Sequence, residues 1–404
     1  MSKIDFSYLI APHTVDEFFA RYWQQYSLLI QRGEPERFRD LLAASDIEAV
    51  LGMADQLPTG AVELIGKTSA IEHRRPESSP ALVGFFTSGS TIRVKGVERY
   101  SDPLGELCRS IERELGFPTR ANLYCTPAGS RGFDLHFDTH EVLVLQLLGN
   151  KQWLAYESTT KLPLEYVPRG PFEDDRDALK RSHDRSEGCQ AEISPAKRGA
   201  LAVEASLEAG DTLYLPRGFV HQAESLDEPS VHVTIGIHVF TWLDLLSVAL
   251  VQSGYRHERL RHALPVGWFK NHQSERIFAA EFAQLLELFS QDADCESAIR
   301  EVAESTIRTS QAKSARPHPD GLDHKTKVEG TGRLEVCLSD DGDMAGLALG
   351  QKVFWMPVSF APALRFVAER RSFCPSELPG QITDHGKLGL VGCLVADGFL
   401  QIAD

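Results

Sequence analysis

Asn122-Leu-Tyr-Cys-Thr-Pro-Ala-Gly-Ser-Arg-Gly-Phe-Asp-Leu-His136-Phe-Asp138-Thr-His-Glu-Val-Leu-Val-Leu-Gln-Leu-Leu-Gly-Asn-Lys151-Gln-Trp153 is the stretch on which the fold turns. It opens on strand-like residues from Asn122 to Cys125 and breaks at Pro127-Ala128-Gly129. It resumes as a strand from Val142 to Leu148, turns at Gly149-Asn150 and returns as a strand over Gln152 to Tyr156. In its middle lies Leu135-His136-Phe137-Asp138. Alternate residues of a strand share a face, so on a strand His136 and Asp138 would project the same way. An imidazole and a carboxylate so placed suit two adjacent positions on an octahedral metal. With 14 histidines in the chain, about one H-x-D is expected by chance at ordinary Asp frequency, so the pair alone decides little.

Moving outward, Gly210-Asp211 launches a strand over Thr212 to Leu215, Pro216-Arg217-Gly218 reverses it, and His221 starts the next. Val231 to Val239 is a further strand. Many short strands with this punctuation predict a sandwich or barrel. In a barrel the hairpin can bring His221 beside the first pair. Two His and one carboxylate make the facial triad of non-heme Fe(II) oxygenases, with three positions left for a chelating keto acid and O2. Lys151, just past the turn after the H-x-D region, is placed to serve as the fixed cation for a distal carboxylate. A water-facing lysine at a hairpin edge is the alternative.

These two motifs resemble the ribosomal oxygenases of the JmjC group. The resemblance rests on the run from Asn122 to Trp153 and on Leu215-Pro-Arg-Gly-Phe-Val-His221-Gln222; the opening Val15-Asp-Glu-Phe-Phe-Ala-Arg-Tyr-Trp23 through Leu28-Leu-Ile-Gln31 matches the start of that family. It implies an α+β chain built on a double-stranded β-helix, the JmjC/cupin jelly-roll barrel, with a helical dimerisation region and a C-terminal winged-helix module. The implied layout is a helical and strand extension over 1–120, the barrel over 121–241, the helical region over 242–315 and the winged-helix-like end over 333–404. The resemblance also implies His136, Asp138 and His221 as ligands of Fe(II), and Lys151 as the salt-bridge partner of 2-oxoglutarate. Asn122, Tyr124 and Thr234 would line the co-substrate pocket, with His232 facing it too. Some relatives carry a hydroxyl residue where this chain has Gly236. His140, next to the triad, is expected at the surface or in a substrate cleft rather than as a ligand. The implied reaction couples O2 and 2-oxoglutarate to hydroxylation of a His or Arg side chain on a protein substrate, a ribosomal protein being the implied class. Demethylation of N-methyl-lysine and a non-catalytic cupin scaffold or transcriptional regulator are the alternatives.

The rest of the chain sets bounds. It has 404 residues, 42% hydrophobic and 25% charged, with a formal net charge of −15, which fits a soluble multidomain protein and not one built to grip bare nucleic acid. From Gly332 onward six basic residues face nine acidic ones. That sign is wrong for phosphate contacts, so the C-terminal module is expected to serve protein contacts rather than DNA. No signal peptide is read at the start. The apolar stretch His232–Val251 is interrupted by His238 and Asp244, so no membrane span is expected. Seven dispersed cysteines without a C-x-x-C pair fit reduced thiols and a cytoplasmic chain. Residues 14–55 read as helical with a short strand at Ser27–Ile30. Pro103–Leu115 and Trp242–Ile307 also read as helical, and the latter has enough apolar surface to predict a homodimer interface. Glu304–Gly332 reads as a linker. The charged insert Pro168–Gly199 reads as a lid or a disordered loop.

Overall fold

The computed structural model describes residues 4–42, 47, 51, 61–66, 71–72, 84–158, 161–164, 198–266, 274–311, 322–338, 344–350, 352–380, 382, 384–396 and 398–403. Almost all of the charged insert lies outside them. The chain divides into two compact units, Met1–Val239 and Phe240–Asp404.

In the first unit, α1 (Phe6–Ile10) and α2 (Val15–Arg21) precede β1 (Leu28–Ile30), β2 (Val62–Ile65), β3 (Ile71–Glu72) and β4 (Thr91–Lys95). Then come α3 (Asp102–Leu115), β5 (Thr119–Thr126), β6 (Glu141–Leu148), β7 (Asn150–Tyr156), β8 (Leu201–Glu208), β9 (Thr212–Leu215), β10 (Val220–Ser225) and β11 (Ser230–Ile237). Thr14 caps α2, its hydroxyl accepting from Glu17 N at 3.1 Å. The helix is only seven residues long, and between it and Leu42 the described residues form turns and β1 around a buried aromatic cluster; most of 43–55 lies outside the described residues. The α3 helix matches its expectation. Ser101 caps it, Leu104, Leu107, Cys108 and Ile111 are buried, and Gly116 ends it at φ +71°, a left-handed position that favours glycine.

Two antiparallel sheets carry the unit. One has the order β1-β9-β6-β11-β5-β4-β2-β3, the other β10-β7-β8. Val142 and Val144 on β6 and Leu213 and Leu215 on β9 share a core with Trp153 and Ala155 on β7 and Val203 and Leu207 on β8. The two sheets therefore face each other across an apolar layer, as in a jelly roll. The other face of the large sheet is covered by α1, α2 and α3 through Phe6, Leu9, Phe18, Leu107 and Ile111.

The second unit has three long helices, α4 (Trp242–Arg256), α5 (Ser274–Asp292) and α6 (Cys295–Gln311). The expected linker therefore begins later than its sequence suggests, because α6 runs on to Gln311; residues 312–321 lie outside those described. Three strands, β12 (Val328–Gly330), β13 (Leu334–Leu338) and β14 (Met344–Leu349), lead to β15 (Lys352–Pro357), α7 (Ala361–Glu369), β16 (Ser372–Phe373), α8 (Asp384–Ala396) and β17 (Leu400–Ile402). The sequence Leu388–Ile402, with its Gly398, reads as a hairpin; instead most of it is the second helix of this end, α8. Leu364, Val367, Leu390 and Leu394 close a separate core with Phe360 and Phe399. No described helix is long and apolar enough to cross a membrane.

Candidate metal centre and cavity

His136 and Asp138 do not lie on a strand. The segment from Gly132 is irregular, and His136 joins the sheet through a single isolated bridge to His221. The bridge is reciprocal: His136 N donates to His221 O at 3.1 Å and His221 N donates to His136 O at 2.7 Å. The alternation expected of a strand thus reduces to a two-residue extended stretch, and main-chain pairing with β10 sets the register instead. Gly218 N also donates to Asp138 O at 2.8 Å, so the Pro216-Arg217-Gly218 turn holds the third residue.

Those links bring the three side chains together, with one ligand atom from each of His136, Asp138 and His221 within 4.8 Å of the others. The ring nitrogens are sorted by backbone carbonyls. Nδ1 of His136 lies 2.7 Å from Asp134 O, and Nδ1 of His221 lies 2.9 Å from Phe219 O. Each Nδ1 acts as the donor there, which leaves each Nε2 as a lone pair for a ligand. Burial and the neighbouring His221 push His136 down to about 4, so its ring is neutral at ordinary pH. Burial alone would push the Asp138 carboxyl up, but His140, His221, His136 and Arg93 outweigh it and hold the group below its ordinary value. A neutral imidazole and an ionised carboxylate are the forms that bind a divalent cation.

The triad lines a small cavity, about 50 Å³, that is open to solvent. The sequence-derived residues Lys151, Asn122, Tyr124 and Thr234 all line it. Asn122 and Tyr124 sit on β5 directly opposite Thr234 and His232 of β11. Lys151 is no hairpin-edge lysine: it is 2% exposed. Its Nζ donates to Thr126 Oγ1 at 2.8 Å, and among the described residues it has no carboxylate partner. Burial lowers its pKa to about 7. Two more polar atoms are stranded in the same wall. Trp153 Nε1 and His232 Nδ1 are buried without a hydrogen-bond partner among the described residues. Buried polar groups are normally satisfied, and these two ring nitrogens lie in the same cavity wall as the Lys151 amine.

Sequence reading missed Arg93, Glu63 and Trp153. Tyr124 stacks on His232 at 4.8 Å, His232 meets Trp153 edge-on at 5.6 Å, and Trp153 lies over His221 at 5.9 Å. This chain of rings ties the Asn122, Tyr124 and His232 wall of the cavity to the triad. Arg93 reaches the cavity from β4, stacks on Phe133 at 5.0 Å and donates from Nε to Glu63 Oε2 at 2.6 Å. Glu63 and Arg93 face each other in register on β2 and β4, and Lys95 Nζ lies 3.0 Å from the other oxygen of Glu63. The available signal was Glu63 standing alone among the apolar residues of Val62-Glu-Leu-Ile65, which asks for a cationic partner. Replacing Glu63 with Gln would leave the buried guanidinium without its charge partner. A loss on the order of 3 kcal/mol in denaturant-unfolding stability is expected, and a loss below about 1 kcal/mol would contradict that reading.

Comparison with known proteins places this geometry among relatives. Residues 98–245 match the JmjC domain. The chain is 31% identical over 251 residues to ribosomal oxygenase 1 of Gallus gallus, covering 61% of this chain and 38% of that one. It is 31% identical over 271 residues to the bifunctional lysine-specific demethylase and histidyl-hydroxylase NO66 of Aedes aegypti, covering 65% and 40% respectively. The chain thus spans about two-fifths of the length of these curated relatives. It is similar in structure to Escherichia coli ycfD, with a TM-score of 0.51 and 16% identity over 97% of this chain and 99% of that one, a likeness of fold.

Proposed function

We infer that this chain, which carries a JmjC domain of the cupin fold at residues 98–245, is an Fe(II)- and 2-oxoglutarate-dependent oxygenase that hydroxylates a His or Arg side chain of a protein substrate. A ribosomal protein is the proposed substrate class, supported by the name of the Gallus gallus relative. The observation that carries the reading is the buried Lys151 in the same cavity as the His136, Asp138 and His221 cluster. The donor set of two imidazoles and one carboxylate fits Fe(II) and leaves half of an octahedron open. The buried Lys151 amine, with Trp153 Nε1 and His232 Nδ1 beside it, fits a dicarboxylate.

Bound there, Fe(II) and 2-oxoglutarate would supply the oxidising power for C–H hydroxylation, with succinate and CO2 as the other products. The chain's own contribution is placement. Asp134 O and Phe219 O fix the two imidazoles with Nε2 inward, Lys151 and Thr126 would grip the distal carboxylate, and the Trp153 and His232 rings keep water from that end. The test is succinate formation from labelled 2-oxoglutarate with Fe(II), ascorbate and ribosomal proteins, against a His136→Ala control. A 16 Da gain on one substrate side chain, seen only with the wild type, is the expected result. Formaldehyde release without that gain would favour N-methyl-lysine demethylation, the other activity in the name of the Aedes aegypti relative. No turnover and no 2-oxoglutarate binding would favour a scaffold.

We also propose a homodimer through α4. That helix leaves Trp242 78%, Val251 58% and Tyr255 81% exposed, an apolar face of the kind that marks a protein contact. The double substitution Trp242→Asp with Tyr255→Asp is expected to convert dimer to monomer at micromolar concentration in sedimentation velocity. A wild-type monomer under the same conditions overturns the proposal. The acidic C-terminal unit, read as a winged-helix-like module, is proposed to meet protein rather than DNA.

A further inference from the structure

One turn serves two members of the metal-binding trio. Three consecutive residues, Arg217, Gly218 and Phe219, each spend a main-chain group on a different neighbour. Gly218 N donates to Asp138 O at 2.8 Å. Phe219 O accepts from Nδ1 of His221 at 2.9 Å. Arg217 N donates to Oε2 of Glu141 at 3.2 Å. The first two bonds hold the main chain of Asp138 and the ring of His221. The third holds the turn itself.

Glu141 opens β6 and is completely buried. Donors from three parts of the fold converge on its carboxylate. Besides Arg217 N, Oε2 accepts from the Tyr214 hydroxyl of β9 at 2.7 Å, and Oε1 accepts from Nε2 of Gln24 at 3.2 Å. Gln24 is tied to this hub twice, since its main-chain N donates to the Tyr214 hydroxyl at 2.9 Å. It holds φ +58°, a left-handed value uncommon for a residue with a side chain. Such a conformation persists where its surroundings over-determine it. A buried carboxylate is costly unless it is hydrogen-bonded, and here the bonding groups also fix where it sits.

We propose that Glu141 is a positioning residue that sets His221 against Asp138 by anchoring the Pro216-Arg217-Gly218 turn. The proposal rests on the metal-site reading above and adds to it a residue outside the trio. Glu141 is not among the residues that line the cavity, so its influence on the site runs through the turn. Without its carboxylate, Arg217 N is left buried with no acceptor. The turn can then shift, and the Gly218 and Phe219 groups that hold Asp138 and His221 shift with it. Groups that orient metal-binding side chains from behind act in this way.

The test uses Co(II) alone, read by titration and by its visible absorption spectrum, with thermal unfolding followed alongside. Glu141→Ala is expected to weaken Co(II) binding about 10- to 100-fold and to change the spectrum. Glu141→Gln, whose amide oxygen can still accept from Arg217 N and the Tyr214 hydroxyl, is expected to recover most of the affinity. Tyr214→Phe keeps the ring that packs on Phe18 and Trp23 and removes only the hydroxyl that aims Oε2. It should shift Co(II) affinity and spectrum in the same direction, and add little in the Glu141→Ala background, the non-additivity of residues in one network. A purely structural role would lower the unfolding temperature and leave Co(II) affinity and spectrum as in the wild type. That result in both Glu141→Ala and Tyr214→Phe would overturn the proposal; if Glu141→Ala does not fold, Tyr214→Phe decides alone. Failure of the wild type itself to bind Co(II) more tightly than His136→Ala would instead overturn the metal site, and this proposal with it.

Discussion

Replacing His221 with Ala is expected to reduce 2-oxoglutarate turnover on the order of 10³-fold or more. Its effect should be larger than that of a simple ligand loss. His221 supplies one Nε2 to the cluster, and its ring is also the end of the stack that runs through Trp153, His232 and Tyr124. Removing the ring therefore opens the co-substrate wall as well as the metal position. Its main chain, which pairs with His136, is untouched by the substitution, so the fold should persist and far-ultraviolet circular dichroism should match the wild type. Retention of more than a tenth of the wild-type turnover would rule His221 out as a ligand.

The second large effect runs in two directions at once. Lys151→Met is expected to weaken 2-oxoglutarate binding about 100- to 1000-fold while making the ligand-free protein more stable, by on the order of 1–4 kcal/mol. The reason is that Lys151 is buried with the Thr126 hydroxyl as its one hydrogen-bond partner among the described residues, and its folded pKa of about 7 lies below its value in the unfolded chain. Folding thus disfavours the charged form. The sign follows: between about pH 7 and the unfolded pKa the unfolded chain binds more protons, so the stability contributed by this group rises with pH and is lost as pH falls toward 7. Ligand binding has the opposite slope. The dicarboxylate needs the ammonium, so its Kd should rise up to about tenfold per pH unit above 7 in the wild type and stay flat in Lys151→Met. Isothermal titration across pH 6.5–9 and thermal unfolding without ligand check both halves. A destabilised Lys151→Met protein, or a flat wild-type profile, would show that the lysine has a structural role instead.

How far the sequence carries the reader depends on which kind of contact does the work. Strands such as Thr212–Leu215 and Glu141–Leu148 were legible because their β-branched and leucine residues are bounded by Gly and Pro turns. The metal-binding trio was legible because its residue types are rare in such a pattern, although the reason given for their alignment was wrong. The strand alternation invoked for His136 and Asp138 is absent, and a main-chain bridge to His221 replaces it. Arg93 was not legible, since Thr-Ile-Arg-Val-Lys95 alternates like a strand with a solvated charged face. Only the cross-strand register with Glu63 turns that face inward. The burial of Lys151 and the hold of Glu141 on Arg217 depend on distances between segments far apart in the chain, which no local pattern encodes. α6 outran its expected end because a polar segment with few apolar residues can still continue a helix once one face is packed.

The paired amides of His136 and His221 have an implication for how such a protein can change over time. Two residues of the trio are aligned by atoms that every residue except proline possesses. Substitutions at wall residues such as Phe133, Ala223 or Thr234 can therefore reshape the cavity without disturbing that alignment. Alignment and wall chemistry become separable under selection: the placement of the trio is inherited with the backbone, while the side chains around it are free to vary.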